Sequence, residues 1–383
     1  MKLGEIADFQ YGYTASAKDA NTGTKLLRIT DIVPDLIDWN AVPYCDVDQK
    51  KLEQFKIKKE DILIARTGAT AGYAKLIRKE PEQSVFASYL IRLEIKDENV
   101  SPGFIGRIIE SDSFKDFVST HAGGSAQPHA NAPILKNFEI FLPDLLTQKQ
   151  IADVLSAYDD LIENNTKRIK ILEEIAQAIY REWFVYFRFP GHEKIKMVDS
   201  KTDFDKIPDG WEVKKIGDKI KILRGKNITK NTIVSGKVPV VAGGMGPAYF
   251  HNKANVEGPA ITVSASGANS GYINLYHEDI WASDCSYINK NSTPFVYYYF
   301  LLLKNRQAEV TGLQRGSAQP HVYPKDLARL LVADPPEKLV CAFEEKAGSL
   351  FSVINNLKIR NQKLRQARDL LLPKLVTGEV VVK

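Results

Sequence analysis

The sequence predicts an α+β chain in which two β-rich mixed globules are separated by two long antiparallel α-helices, a coiled-coil spacer, with a pseudo-twofold internal repeat. Three observations carry this. From Thr147 to about Phe184, apolar or aligned residues fall at Ile151, Leu155, Tyr158, Ile162, Asn165, Ile169, Leu172, Ala176 and Ile179. Those gaps alternate four and three, the heptad seam of a coiled coil. A second seam runs from Glu337 to about Leu372 through Phe343, Ala347, Leu350, Ile354, Leu357, Asn361, Leu364, Arg368 and Leu371. The chain also repeats itself: Gly124-Ser125-Ala126-Gln127-Pro128-His129 recurs letter for letter as Gly316-Ser317-Ala318-Gln319-Pro320-His321.

In order, the expectation is a globule over 1–143, a helix over 144–189, a linker over 190–206, a second globule over 207–334, and a helix with its tail over 335–383. In the first globule, 25–32, 61–66, 72–77 and 89–95 have strand character, rich in Ile, Leu and Val and bounded by Gly, Pro or charge. A short helix is expected over 102–117. In the second globule the strands are 238–242, 260–264, 271–276 and 286–289, and the helix is 294–305. Pro102 and Pro294 sit at helix entry, where a missing N–H costs nothing. Further pieces of the repeat are Arg66–Tyr73 with Ala265–Tyr272, Ala87-Ser88 with Ala282-Ser283, and Leu3-Gly4-Glu5 with Ile216-Gly217-Asp218. The period is far too long for a solenoid and indicates a tandem duplication. The lead-in Ile207-Pro208-Asp209-Gly210-Trp211 has no counterpart before Leu3; either the chain starts late or the first repeat lacks the segment.

Thr147 and Gln150 read as a capping box for the first long helix, with Leu146 and Ile151 as its hydrophobic staple. At ~1.5 Å per residue the helix is a rod of roughly 57 Å. Antiparallel pairing places Asn165 opposite Asn361, Ile162 on Leu364, Ile169 on Leu357, Leu172 on Ile354, Ala176 on Leu350 and Ile179 on Ala347. A buried Asn pair penalises slipped registers that would set an amide against leucine. The other reading is two unrelated amphipathic helices, each packed on its own globule.

Hydrophobic content of 44% and charged content of 26% fit an ordinary soluble protein. The longest aromatic-aliphatic run, 295–303, is too short to span a bilayer, and no basic-then-apolar leader opens the chain. Three scattered cysteines, Cys45, Cys285 and Cys341, suit a reducing cytoplasm. Net charge is +5, distributed as −2 over 1–143, −1 over 144–198, +5 over 199–333 and +3 over 334–383. A nucleic-acid binder usually has a clear basic excess, and the first globule has none.

No catalytic constellation is legible. Asp334-Pro335-Pro336-Glu337 superficially resembles an amino-methyltransferase signature but lacks its aromatic residue, and reads as two prolines opening a helix. Gly243-Gly244-Met245-Gly246 has neither dinucleotide nor P-loop spacing. The six histidines show no metal spacing. What remains are polar, glycine-punctuated loops present twice. Arg66, Thr67, Thr70, Ser266, Asn269 and Ser270 offer donors in one pair. Ser125, Gln127 and His129 answer Ser317, Gln319 and His321 in the other; Gln can pair with adenine, and Ser and His can take phosphates. Alternatively, these are tight turns whose Gln and His cap backbone groups. Arg28, Arg224, Lys226, Asn227, Lys230 and Arg315 are further candidates for phosphate or base contact, set against the ordinary reading of solvated surface charge, and Tyr73 and Tyr272 read as core or rim.

Globule–helix–globule–helix resembles the specificity subunits of type I restriction–modification systems. The resemblance is carried by Leu142-Pro143-Asp144-Leu145-Leu146-Thr147-Gln148, Trp183-Phe184-Val185-Tyr186-Phe187, Ile207-Pro208-Asp209-Gly210-Trp211 and Leu371-Leu372-Pro373-Lys374-Leu375-Val376-Thr377-Gly378-Glu379. It implies two target recognition domains, each reading one half of a bipartite, asymmetric, gapped double-stranded DNA sequence, and a helical spacer that sets the gap. It implies two adenine methyltransferase subunits bringing S-adenosylmethionine, restriction/translocase subunits using ATP and Mg, and no catalysis, cofactor or metal in this chain. The alternatives are the specificity chain of a type II enzyme and a coiled-coil adaptor with two protein-binding modules. If the rods are a ruler, lengthening both by one heptad, roughly 10.5 Å, widens the tolerated gap by about three base pairs. Methylome sequencing checks this, and an unchanged gap removes the ruler.

Overall fold

This computed structural model describes every residue except Asp35, 123–128, Lys201, Asp203, Ser317, Ala318 and Lys383, and the side chain of Lys230. The chain divides into two compact units, Met1–Asn165 with Arg360–Lys383, and Thr166–Ile359.

The first unit is built on an antiparallel sheet of four strands in the order Ala7–Tyr11, Leu90–Ile95, Ile62–Ala65, Ala74–Leu76. Both faces are covered, which is why Ile62-Leu63-Ile64-Ala65 is apolar throughout. Ile62 and Ile64 cluster with Phe104, Ile105 and Phe114, while Leu63 and Ala65 cluster with Leu26, Ile57 and Phe86. One layer is the helices Pro102–Glu110 and Asp112–His121. The other contains the parallel pair Lys25–Leu27 and Ser84–Phe86 and the helix Gln49–Phe55, capped by Asp48.

Two expectations are corrected here. The helix over 102–117 is two helices: Ser111 is extended, and its hydroxyl donates to Ile108 O at 2.6 Å, ending the first. The strand over 25–32 stops at Leu27, because Asp31 takes the Arg28 amide at 2.8 Å and closes a helical turn over Ile29–Ile32.

The second unit repeats the sheet, with strand order Leu223–Arg224, Cys285–Asn289, Ala260–Ser264, Ile273–Tyr276. The parallel pair recurs as Val238–Val241 with Trp281–Ala282, and the covering helix as Val296–Asn305. Pro294 lies ahead of that helix, whose N-cap is Phe295. An extra strand, Pro247–His251, is added to Val238–Val241. The lead-in has a packing reason. Trp211 stacks on Phe189 (5.4 Å between centroids, 23°) and meets Phe187 edge-on at 5.3 Å. Phe184 in turn meets Tyr298 and Phe343 edge-on at 4.9 and 5.0 Å.

The long helices are Leu145–Tyr180, of 36 residues, and Glu337–Val376, of 40 residues. The first starts earlier than expected because Asp144 caps it. Its carboxylate accepts from the Thr147 amide at 3.0 Å and the Thr147 hydroxyl at 2.6 Å, bonds that hold the carboxyl below its ordinary range. Thr147 is therefore the third residue of the motif and not its cap, and no staple forms, since Leu146 is 67% exposed while Ile151 is buried. The second helix runs past Leu372 and through Pro373, and Thr377 N–H donates to Pro373 O at 3.0 Å just beyond its end.

Within the first unit the helices pair antiparallel: Asp159 meets Arg368, and Asn165 Nδ2 donates to Asn361 Oδ1 at 2.9 Å with both residues buried. Asn361 Nδ2 also donates to Ile162 O at 3.3 Å. Within the second unit Ile169, Ala176, Phe343, Ala347, Ile354 and Leu357 share a buried cluster, and Lys358 Nζ lies 3.2 Å from Glu173. Asn165→Leu strands a buried amide and is expected to destabilise by about 1–3 kcal/mol, whereas Asn165→Leu with Asn361→Leu recovers most of the loss. Urea denaturation of the three proteins checks this; a double variant as weak as the single one refutes the pairing argument.

His277 packs against Tyr297 and Phe351, and burial, with Lys358 adding, lowers its pKa to about 4 from 6.5. The unfolded chain therefore binds the extra proton first. The stabilising share of His277 is full above pH 6.5 and is lost as the pH falls toward 4. His277→Gln is expected to lose less stability than the parent protein between pH 7 and pH 4.5 (about two and a half units). Equal losses on denaturation would acquit this group.

Candidate nucleic-acid interface

In each module a loop leaves the end of a central strand and returns as the next strand. These loops are 66–73 and 265–272. Gly72 N–H donates to Ala65 O at 2.9 Å, and Gly271 N–H to Ser264 O at 2.8 Å. Both glycines have positive φ, +87° and +86°, and sit tightly packed. A Cβ on Gly72 would lie 2.9 Å from the Val118 side chain, and one on Gly271 3.0 Å from the Thr311 backbone.

Against each loop runs the end of the repeated hexapeptide. Thr67 forms a β-bridge with His129, and Ala130 N–H donates to Arg66 O at 2.8 Å. Ser266 forms the same bridge with His321, and Val322 N–H donates to Ala265 O at 2.9 Å. In each module the histidine that closes the hexapeptide thus lies against the glycine-punctuated loop.

The remaining candidates fall as follows. The guanidinium of Arg66 stacks over Tyr11, 4.8 Å from its centroid, and Thr70 is half-buried in the turn. Arg28 gives Nε and Nη2 to the Asp31 carboxylate at 3.0 Å each, which raises its pKa, and lines a cavity of about 330 Å³ with Leu26, Ala87 and Tyr89. Arg224 Nη2 donates to Asp284 Oδ1 at 2.5 Å, and the Ser266 hydroxyl donates to the same carboxylate. Asn269, Lys226, Asn227 and Gln319 are exposed. Arg315 exchanges backbone bonds of 2.9 Å with His321, and its Nη2 lies 2.8 Å from Asp326 Oδ1. Tyr73 is exposed at the rim, and Tyr272 is half-buried beneath Lys304 Nζ, 4.8 Å from its ring centroid.

Ser270 is a correction: it is 1% exposed, so its hydroxyl cannot serve a ligand on the surface. Ser125, Gln127, Ser317 and the Lys230 side chain lie outside the described residues. The match of Ala87-Ser88 to Ala282-Ser283 also shifts. Ala87 N–H bonds Leu27 O where Ser283 N–H bonds Val241 O, so Ala87 answers Ser283 and Ser88 is an added residue. Sequence reasoning missed Tyr11, Tyr89 and Asp284. Tyr11 closes the alternating stretch Ala7-Asp8-Phe9-Gln10-Tyr11, a period-two signal that could have placed it.

Guanidinium, hydroxyl and imidazole groups beside exposed tyrosines suit phosphate oxygens and base edges. Among the described residues no group of three or more His, Cys, Asp or Glu could hold a metal ion. Asp334 lies 3.3 Å from Lys214 Nζ and 3.0 Å from Lys219 Nζ, and burial pushes the Cys285 thiol up to about 12, far from a reactive thiolate. No helix among the described residues is long and apolar enough to cross a membrane.

Two copies of one sheet topology, each ending in the same polar loop pair, define a duplicated scaffold protein of mixed helix and sheet. The model of the type I restriction modification DNA specificity domain matches residues 1–174 and again 208–366, and the chain belongs to that family. It is 28% identical over 320 residues to the type I restriction enzyme MjaIX specificity subunit of Methanocaldococcus jannaschii, covering 76% of this chain and 71% of that protein. It is 22% identical to the type I restriction enzyme HindI specificity subunit of Haemophilus influenzae, over 85% of this chain and 87% of that one. The crystal structure of a type I restriction–modification system S subunit from M. genitalium shares the fold, with a TM-score of 0.55 at 17% identity over 98% of this chain and 95% of that chain.

Proposed function

We propose that this chain is the sequence-reading subunit of a type I restriction–modification complex and performs no chemistry itself. Each module reads one half of a bipartite, gapped DNA target. The observation that carries this is the polar loop pair built twice on one topology, Thr67 with His129 and Ser266 with His321, in a chain whose two repeats both match a DNA specificity domain. The surrounding residues differ between modules, which supports an asymmetric target. Two adenine methyltransferase subunits bind this chain and bring S-adenosylmethionine, and restriction/translocase subunits bring ATP and Mg. Partner-supplied positive charge offsets the net −2 of residues 1–143.

The test is made in the native cell. Deleting this chain is expected to erase adenine methylation at one gapped, asymmetric motif. Pull-down of the chain is expected to recover an adenine methyltransferase. An intact methylome together with a pull-down free of methyltransferase overturns the reading and favours an adaptor for other proteins.

A further inference from the structure

We propose that each module reads a guanine through a single arginine at the same corner of the scaffold, Arg66 in the first and Arg224 in the second, although the two arrive from different strands. The inference rests on the DNA-reading function proposed above.

Backbone hydrogen bonds establish which positions correspond. Gly12 N–H donates to Leu90 O at 3.1 Å, and Gly225 N–H to Cys285 O at 2.8 Å, so the preceding residues, Tyr11 and Arg224, are equivalent. Arg66 N–H donates to Tyr89 O at 2.9 Å, and Ala265 N–H to Asp284 O at 3.1 Å. Arg66 is therefore equivalent to Ala265, and Tyr89 to Asp284. The next residue in each loop, Thr67 or Ser266, bridges the shared histidine. Around one frame, the same three positions carry Tyr, Arg and Tyr in the first module and Arg, Ala and Asp in the second.

The arginine stands at a different position in each module, but among the three equivalent positions each module has one guanidinium. In the first module it comes from the loop and lies over the ring of Tyr11. In the second, Ala265 is fully buried and the guanidinium comes from the strand position that Tyr11 holds in the first. There it is held by Asp284, at the position of Tyr89. In both cases a neighbouring position immobilises the arginine, so less side-chain entropy is left to lose on binding. A contact with the Tyr11 ring consumes no N–H donor of Arg66, and one bond to Asp284 uses one of the five donors of Arg224. The guanidinium fork matches guanine O6 and N7 along the major-groove edge. A phosphate beside Arg224 would meet the Asp284 carboxylate at close range, a like-charge repulsion that the neutral acceptors of guanine avoid.

The test selects a randomised duplex library with the full chain in its methyltransferase complex and sequences the bound fraction. The parent protein is expected to enrich a gapped motif with a guanine in each half-site. Arg66→Gln is expected to weaken the guanine preference by roughly 5- to 150-fold at one position of one half-site, with adenine gaining there, and to leave the other half-site unchanged. Arg224→Gln is expected to do the same in the other half-site. Tyr11→Arg with Arg66→Ala and Tyr89→Asp, which rebuilds the second arrangement in the first module, is expected to keep the guanine.

An unchanged motif overturns the proposal. So does uniform weakening of all sequences with a shallower salt dependence, the mark of a phosphate contact. Melting temperatures show whether a variant is folded; Arg66→Ala and Arg224→Ala replace a variant that is not, with loss of guanine preference and no gain of adenine as their expected result. A parent complex that enriches no motif refutes the DNA-reading function itself, a failure distinct from a motif that ignores both arginines.

Discussion

Each module depends on one constraint: a short antiparallel sheet whose two faces are both buried. Ile62 and Ile64 on one side, and Leu63 and Ala65 on the other, leave no solvated face. Polar groups are displaced to the strand ends, where the backbone turns. There the loops 66–73 and 265–272 meet the chain end that carries His129 or His321. The charge that does enter a face is compensated. Arg92 Nη1 lies 3.2 Å from Asp61 and 2.9 Å from Lys56 O, while burial raises the Asp61 pKa against that attraction.

The long helices are held by different chemistry in the two units. In the first, buried Asp159 meets both Arg107, from a helix of the globule, and Arg368, from the other long helix. Arg78 adds a contact of 3.2 Å to Asp160. In the second unit the attachment is aromatic, with Tyr180, Trp183 and Phe184 packed around Phe343. Ionic clusters demand matched geometry and leave a costly charge if one partner is lost, whereas an aromatic cluster is held chiefly by the apolar area it buries. The duplicated architecture therefore does not imply duplicated attachments. The same holds at the loops, where one backbone frame presents Tyr11, Arg66 and Tyr89 in one module and Arg224, Ala265 and Asp284 in the other.

By itself the sequence determined the features that depend on local periodicity or literal repetition. The heptad seams marked both helices and set Asn165 against Asn361, because the spacing of apolar residues is a property of one helix face. An uninterrupted apolar run marked Ile62–Ala65, β-branched residues at Ile261, Thr262 and Val263 marked Ala260–Ser264, and the repeated hexapeptide marked the duplication. Only the tertiary structure decided that His129 and His321 lie against the loops 66–73 and 265–272, that Asp144 and not Thr147 caps the first long helix, that Ser270 faces inward, and that Ala87 corresponds to Ser283. Asp144 and Ser270 were decided by where the chain enters the helix and by what packs over the turn; the loop contact and the Ala87 match share another physical reason. Backbone N–H and C=O groups are the same in every residue, so the distant pairings they make have no signature of residue type. Which side chains share a surface is settled only when those pairings close.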